Sequence, residues 1–243
     1  MANYKELITK LQKAPEIPPV VPLAPYPTEQ GVYKGSRYYI TATTLKTLND
    51  FLTSYLGFLA TCKEIIYEGR QNSQVISLAN EIIKGQKTNY DKAKAIHSWV
   101  YKNVRYQTTS NIIPPWELIK SNINGDCKSF AVLIASLLGI AGIPCWLKLV
   151  EIPGFSSLHI YNFVSLSWEV IDGTGAYAFR EVKPVSGYIV FEIDKTISFP
   201  PEALPQGGIV SPETLEALSY VSKIAIGAGI VSAAMLGIWT IME

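Results

Sequence analysis

Histidine is scarce in this 243-residue chain, which has only His97 and His159. Cysteine is nearly as scarce: Cys62, Cys127 and Cys145 are the full set. Two histidines and three scattered cysteines offer no zinc-ligand spacing, so no metal site is expected. Three cysteines do not make a disulfide framework, and they suit a reducing compartment. Charge of one sign is missing too. Lys and Arg number 21 against 20 Asp and Glu, with no basic run, so nothing argues for a nucleic-acid partner. No glycine-rich phosphate loop is present, and no cofactor is expected. The opening residues, MANYKELITKLQKAPEIPP, contain no apolar h-region, so no secretory leader is expected. The length suits one domain with appendages and a full core.

Against these absences stands one stretch, Asn124-Gly125-Asp126-Cys127-Lys128-Ser129-Phe130-Ala131, a glycine turn followed by a cysteine that opens an apolar helix. From Cys127 to Ile140 the residues CKSFAVLIASLLGI are apolar on nearly every side, which predicts a buried central helix. Its N-terminal end must reach solvent only at Cys127. Unpaired N–H groups and the positive dipole end there favour a thiolate. The competing reading is a free cysteine that simply packs, as buried cysteines commonly do. His159 lies in SSLHIYNFV, which alternates like a strand, and Asp172 ends a second strand in SWEVIDGT. A helix-borne cysteine with a histidine and an aspartate on successive strands supplies nucleophile, base and orienting group.

Four segments, AIHSWVYKNVRY, NGDCKSFAVLIASLLGIAGIPCW, LHIYNFV and WEVIDGT, resemble the transglutaminase-like superfamily, a papain-like cysteine fold, over roughly residues 75 to 175. The resemblance implies that Cys127 attacks an amide or acyl carbonyl to form a thioester, His159 moves the proton, and Asp172 orients the imidazole. The backbone N–H of Cys127 is a natural oxyanion donor. It implies a peptide or protein substrate. The thioester then passes to water, as in a peptidase or amidase, or to an amine, as in a crosslinking transglutaminase.

The remaining elements fall around this core. Six prolines between Pro15 and Pro27 predict an extended polyproline II arm, so residues 1–35 are expected to be an N-terminal arm with a short amphipathic helix in NYKELITKLQK. Helices are predicted from Thr44 to about Glu68, from Ser73 to Lys84 with Gly85 as its C-terminal stop, and from near Asp91, which can cap it, through Val104. Cys62 and Cys145 are expected in the core, inert. His97 is expected to be a surface or half-buried structural histidine, and Trp116 a packing residue. GIPCWLKLVEI, the His159 segment, a segment opened by Ser167 and GYIVFEI predict four strands, with a turn around Gly154. The expected fold class is α+β: a transglutaminase-like core, residues 36–200, with helices packed on an antiparallel sheet of at least four strands.

Residues 201–211 read as a linker and 212–243 as a C-terminal helix capped by Ser211. From Ile224 to Met242 there are 19 residues without a charge, roughly 28 Å of helix and close to a bilayer core. Trp239 sits near one end, as an interfacial anchor does. Gly229, Ala233 and Gly237 recur every four residues, a face on which two helices can associate. A membrane anchor is expected, with the domain on the cytoplasmic side or in a membrane-containing virion. The reading from architecture alone is a catalytically idle assembly module of a virion or envelope.

Overall fold

The computed structural model describes residues 4–13, 28–42, 44–120, 124–151, 158–164, 169–180 and 187–195. The candidate span 224–242, the 201–211 linker, the Ser167 strand start and the Gly154 turn lie outside these residues. Helix α1 (Tyr4–Lys13) is followed by the hairpin β1 (Thr28–Tyr33) and β2 (Ser36–Ala42). Lys34 and Gly35 turn this hairpin at positive φ, 47° and 76°, which the glycine adopts without steric penalty. Both described ends of the 1–35 segment are therefore regular structure built onto the domain.

The helix expected from Thr44 to Glu68 is a composite. Thr44 caps α2 (Leu45–Asp50) by accepting from the Thr47 N–H, and α3 runs from Leu56 to Gln71. Between them Phe51–Tyr55 form a π-helical turn. Thr53 Oγ1 donates to the Asn49 carbonyl at 2.8 Å, a local bond that competes with the helical ladder. Helix α4 (Ser73–Ile83) is capped by Asn72 and stops at Gly85, whose φ is +81°. Helix α5 (Asn89–Asn103) starts earlier than its sequence suggests. Its cap is Thr88, whose Oγ1 accepts from the Asp91 N–H at 3.0 Å, while Asp91 lies inside the first turn.

The short β3 (Arg105–Tyr106) precedes α6 (Pro115–Leu118) and pairs in parallel with β4 (Asn124–Gly125). This pair holds the approach to α7 (Cys127–Ile140), where every residue from Ser129 to Leu138 is buried. After it come β5 (Cys145–Glu151), β6 (Leu158–Val164), β7 (Glu169–Ile171) and β8 (Gly187–Glu192). One antiparallel sheet runs β1-β2-β8-β5-β6-β7, so the expected four strands are joined by the N-terminal hairpin. The architecture is α+β. Residues alternate across the sheet: Trp146, Val150, Tyr161 and Phe163 form one buried cluster with Ile8 of α1. Leu149 and Ile160, one residue out of phase, belong to the other face.

Candidate active site

The three residues singled out by sequence arrive from three elements. Cys127 is the first residue of α7, half-exposed, whereas Cys62 and Cys145 are buried. The helix start is fixed by Asp126, whose carboxylate accepts from the Ser129 N–H at 3.3 Å and pairs with Lys128. The same carboxylate accepts from the Thr109 hydroxyl at 3.0 Å, and Lys128 Nζ donates to the Thr109 carbonyl at 2.6 Å. Loop 108–109 is thereby tied beside Cys127. Burial pushes the Cys62 and Cys145 thiols well above the ordinary range, so neither is a nucleophile at neutral pH.

The register of β6 and β7 pairs Asn162 with Ile171, so Asp172 comes opposite Tyr161, on the face that also carries His159. There His159 Nε2 donates to Asp172 Oδ2 at 2.7 Å. The other carboxylate oxygen accepts from the Thr174 N–H at 3.0 Å and the Thr174 hydroxyl at 2.6 Å. Burial opposes a charge on His159. The negative charge and hydrogen bond of Asp172, with a side-chain hydrogen bond to Cys127, outweigh burial and push its pKa up to about 10. Since Nε2 is engaged by Asp172, the contact with Cys127 falls to Nδ1. Burial likewise opposes ionisation of Asp172, but His159 and then Thr174 hold it below the ordinary carboxylate range.

Sequence reading missed three parts of this arrangement. His97 is not at the surface: it is 3 % exposed, and its Nε2 lies 3.0 Å from both the Asp172 and the Gly175 carbonyl oxygens. Carbonyls only accept, so Nε2 carries the proton and clamps the turn that holds Asp172. Thr174, in Asp-Gly-Thr, carries a recognisable turn signal in the sequence. The third part is a cleft of about 480 Å³ in front of Cys127, whose apolar walls include Tyr55, Phe58, Leu149, Leu158 and Ile160. Tyr55 comes from the π-helical turn, a feature that recurs at functional sites. Among the described residues no His, Cys, Asp or Glu cluster could hold a metal ion, and no helix is long and apolar enough to cross a membrane.

Cys127 at the start of α7, His159 in β6 and Asp172 just after β7 thus come together on an α+β frame. Residues 76–192 match the model of the transglutaminase-like superfamily. Two solved structures are similar. One, from Cytophaga hutchinsonii and provisionally named a cysteine protease, has 18 % identity and a TM-score of 0.40 over 62 % of this chain and 62 % of that one. The other, from Parabacteroides distasonis and provisionally named a protease, has 16 % identity and a TM-score of 0.37 over 52 % of this chain and 31 % of that one. No curated protein matches the chain.

Proposed function

We propose that this protein is a cysteine peptidase or amidase working through a thioester on Cys127. The observation that carries the reading is the hydrogen-bonded series Cys127–His159–Asp172, with only Cys127 opening onto a cleft. The thiolate forms the S–C bond to the amide carbonyl, and the C–N bond breaks as His159 gives its proton to the leaving amine. Water then attacks the thioester and passes a proton to His159, the C–S bond breaks, and the acid leaves with the thiolate and protonated His159 restored. A histidine that stays protonated up to about pH 10 retains the proton taken from Cys127 until the amine departs. The Cys127 N–H, unpaired by the helix at the start of α7, serves in this reading as an oxyanion donor. The apolar cleft walls suit a substrate with a large aliphatic or aromatic side chain beside the scissile carbonyl.

Iodoacetamide at neutral pH tests the nucleophile. Cys127 is expected to be alkylated before Cys62 and Cys145, and first labelling of either buried thiol in the folded protein sinks the assignment. A set of peptide aldehydes differing only at the residue carrying the aldehyde tests the cleft. Leucine and phenylalanine forms are expected to bind tenfold or more tighter than glutamate or lysine forms, in the order of ~10–200-fold for apolar pocket discrimination. A labelled primary amine separates the two fates of the thioester: incorporation into protein means crosslinking, and free acid alone means hydrolysis. Residues 224–242 are proposed to anchor the chain in a membrane. Deleting everything after Tyr220 is expected to release the protein from membranes, and a full-length chain that is soluble without detergent ends that reading.

A further inference from the structure

We infer that α1 is a releasable cover over His159: docked, it closes the histidine off, and lifted, it admits the leaving half of a peptide. The inference rests on the acyl-transfer reading above. Cys127 is half-exposed, but His159 is 0 % and Asp172 2 % exposed. A departing amine must come within hydrogen-bonding reach of the imidazole to collect its proton. The cleft does not provide that access. Its walls include Leu158 and Ile160, the two neighbours of His159 in β6, whose side chains alternate to the opposite face.

The element packed beside His159 on the other face is α1. Ile8 is fully buried in the cluster with Val150 and Tyr161. Val150 is the pairing partner of His159 in β5, and the Tyr161 ring lies 5.5 Å from the His159 ring. The same helix grips the segment after Asp172. Thr9 Oγ1 accepts from the Ala176 N–H at 3.2 Å, Gln12 Oε1 from the Tyr177 N–H at 3.3 Å, and Gln12 Nε2 donates to the Arg180 carbonyl at 2.9 Å. At the other end Lys5 Nζ donates to the Tyr101 and Val104 carbonyls, each at 2.8 Å.

Lys5, Ile8, Thr9 and Gln12 form one helical face, and only Ile8 among them is aliphatic. The other three are held by hydrogen bonds to backbone groups, and Lys5 Nζ also lies 4.8 Å from the Tyr101 ring centroid and 5.4 Å from that of Phe130. Such bonds exchange for water with little net change, unlike the apolar burial of α7. A face of this composition docks reversibly. It also couples the cover to the turn carrying Asp172, so docking and the geometry of the charged pair report on each other.

Amide hydrogen exchange on the full-length protein tests the cover without any substrate. The amides of α1 and those of Ala176 and Tyr177 are expected to exchange together, at least about 100-fold faster than those of β6, because they open as one unit. The double variant Thr9→Ala/Gln12→Ala removes the polar grip and touches none of the three reacting groups. It is expected to speed this exchange and to raise peptide turnover about tenfold, as the lifting of a lid does when opening limits the rate. Iodoacetamide labelling of Cys62 and Cys145 reports global unfolding and is expected to stay slow. Protection of α1 equal to that of β6 overturns the cover, as does opening without a gain in turnover or opening only together with exposure of Cys62 and Cys145. The exchange result stands apart from activity, so failure of the cover and failure of the enzyme reading are told apart by the alkylation of Cys127.

Discussion

The two histidines of this chain meet the same aspartate from opposite sides and end in opposite electrostatic states. His159 touches the Asp172 carboxylate, and His97 touches the Asp172 backbone carbonyl. Both are buried. For His97 burial prevails and its pKa is lowered, so it is a neutral hydrogen-bond donor at physiological pH. For His159 the carboxylate and Cys127 outweigh burial, and the ring is held charged. Depth of burial therefore does not set the role of a histidine in this fold. A full negative charge in contact does, because its attraction in a low-dielectric site exceeds the desolvation penalty that two carbonyl dipoles leave in control.

Substitutions that exchange these roles break the comparison. His159→Ala is expected to remove turnover by roughly 10³-fold or more, because proton transfer to and from sulfur and amine is lost. Circular dichroism should show the fold intact, and unchanged turnover would falsify the enzyme reading. Asp172→Asn is expected to cost less, roughly 10²-fold, since the base remains but loses the charge that holds it protonated. Its signature is a shift of the activity profile toward lower pH for the histidine limb; an unshifted profile would mean that Asp172 does not set the state of His159.

His97→Ala is expected to lower kcat about tenfold with KM little changed, as it leaves the Asp172 and Gly175 carbonyls without their donor and loosens the turn. His97→Gln, which can still donate to these carbonyls, should recover much of the loss. Equal loss in both variants would point to packing and not to the clamp. The smallest effect is on stability. The pKa of His159 is raised from 6.5 to about 10, so its contribution is fully present below pH 6.5 and is lost as pH rises through about 10. Asp172, lowered from 3.8, contributes above that value and loses its contribution as pH falls through its lowered pKa. Thermal unfolding of the wild type should decline between pH 6.5 and 10 more than that of His159→Gln, and parallel curves would contradict the charged state of His159.

Local signals in the sequence are sufficient for α7, for the strand carrying His159 and the strand that leads to Asp172, and for the helix stop at Gly85. Apolar continuity, two-residue alternation and a glycine able to take positive φ act within a few residues, so they can be read without knowing the rest of the chain. The cap of α5 was misplaced from Thr88 to Asp91 for a related reason: both residues are good caps, and the side chain that bonds depends on backbone angles the sequence does not display. What only the tertiary structure decided lies farther apart in the chain. His97 reaches Asp172 across 75 positions, and Gln12 reaches Arg180 across 168. The charged state of His159, the burial of His97, the cleft wall built from the π-helical turn and the seat of α1 all depend on which distant groups share one low-dielectric volume. Periodicity carries no record of that proximity, because it describes which face a residue occupies and not what the fold brings against it.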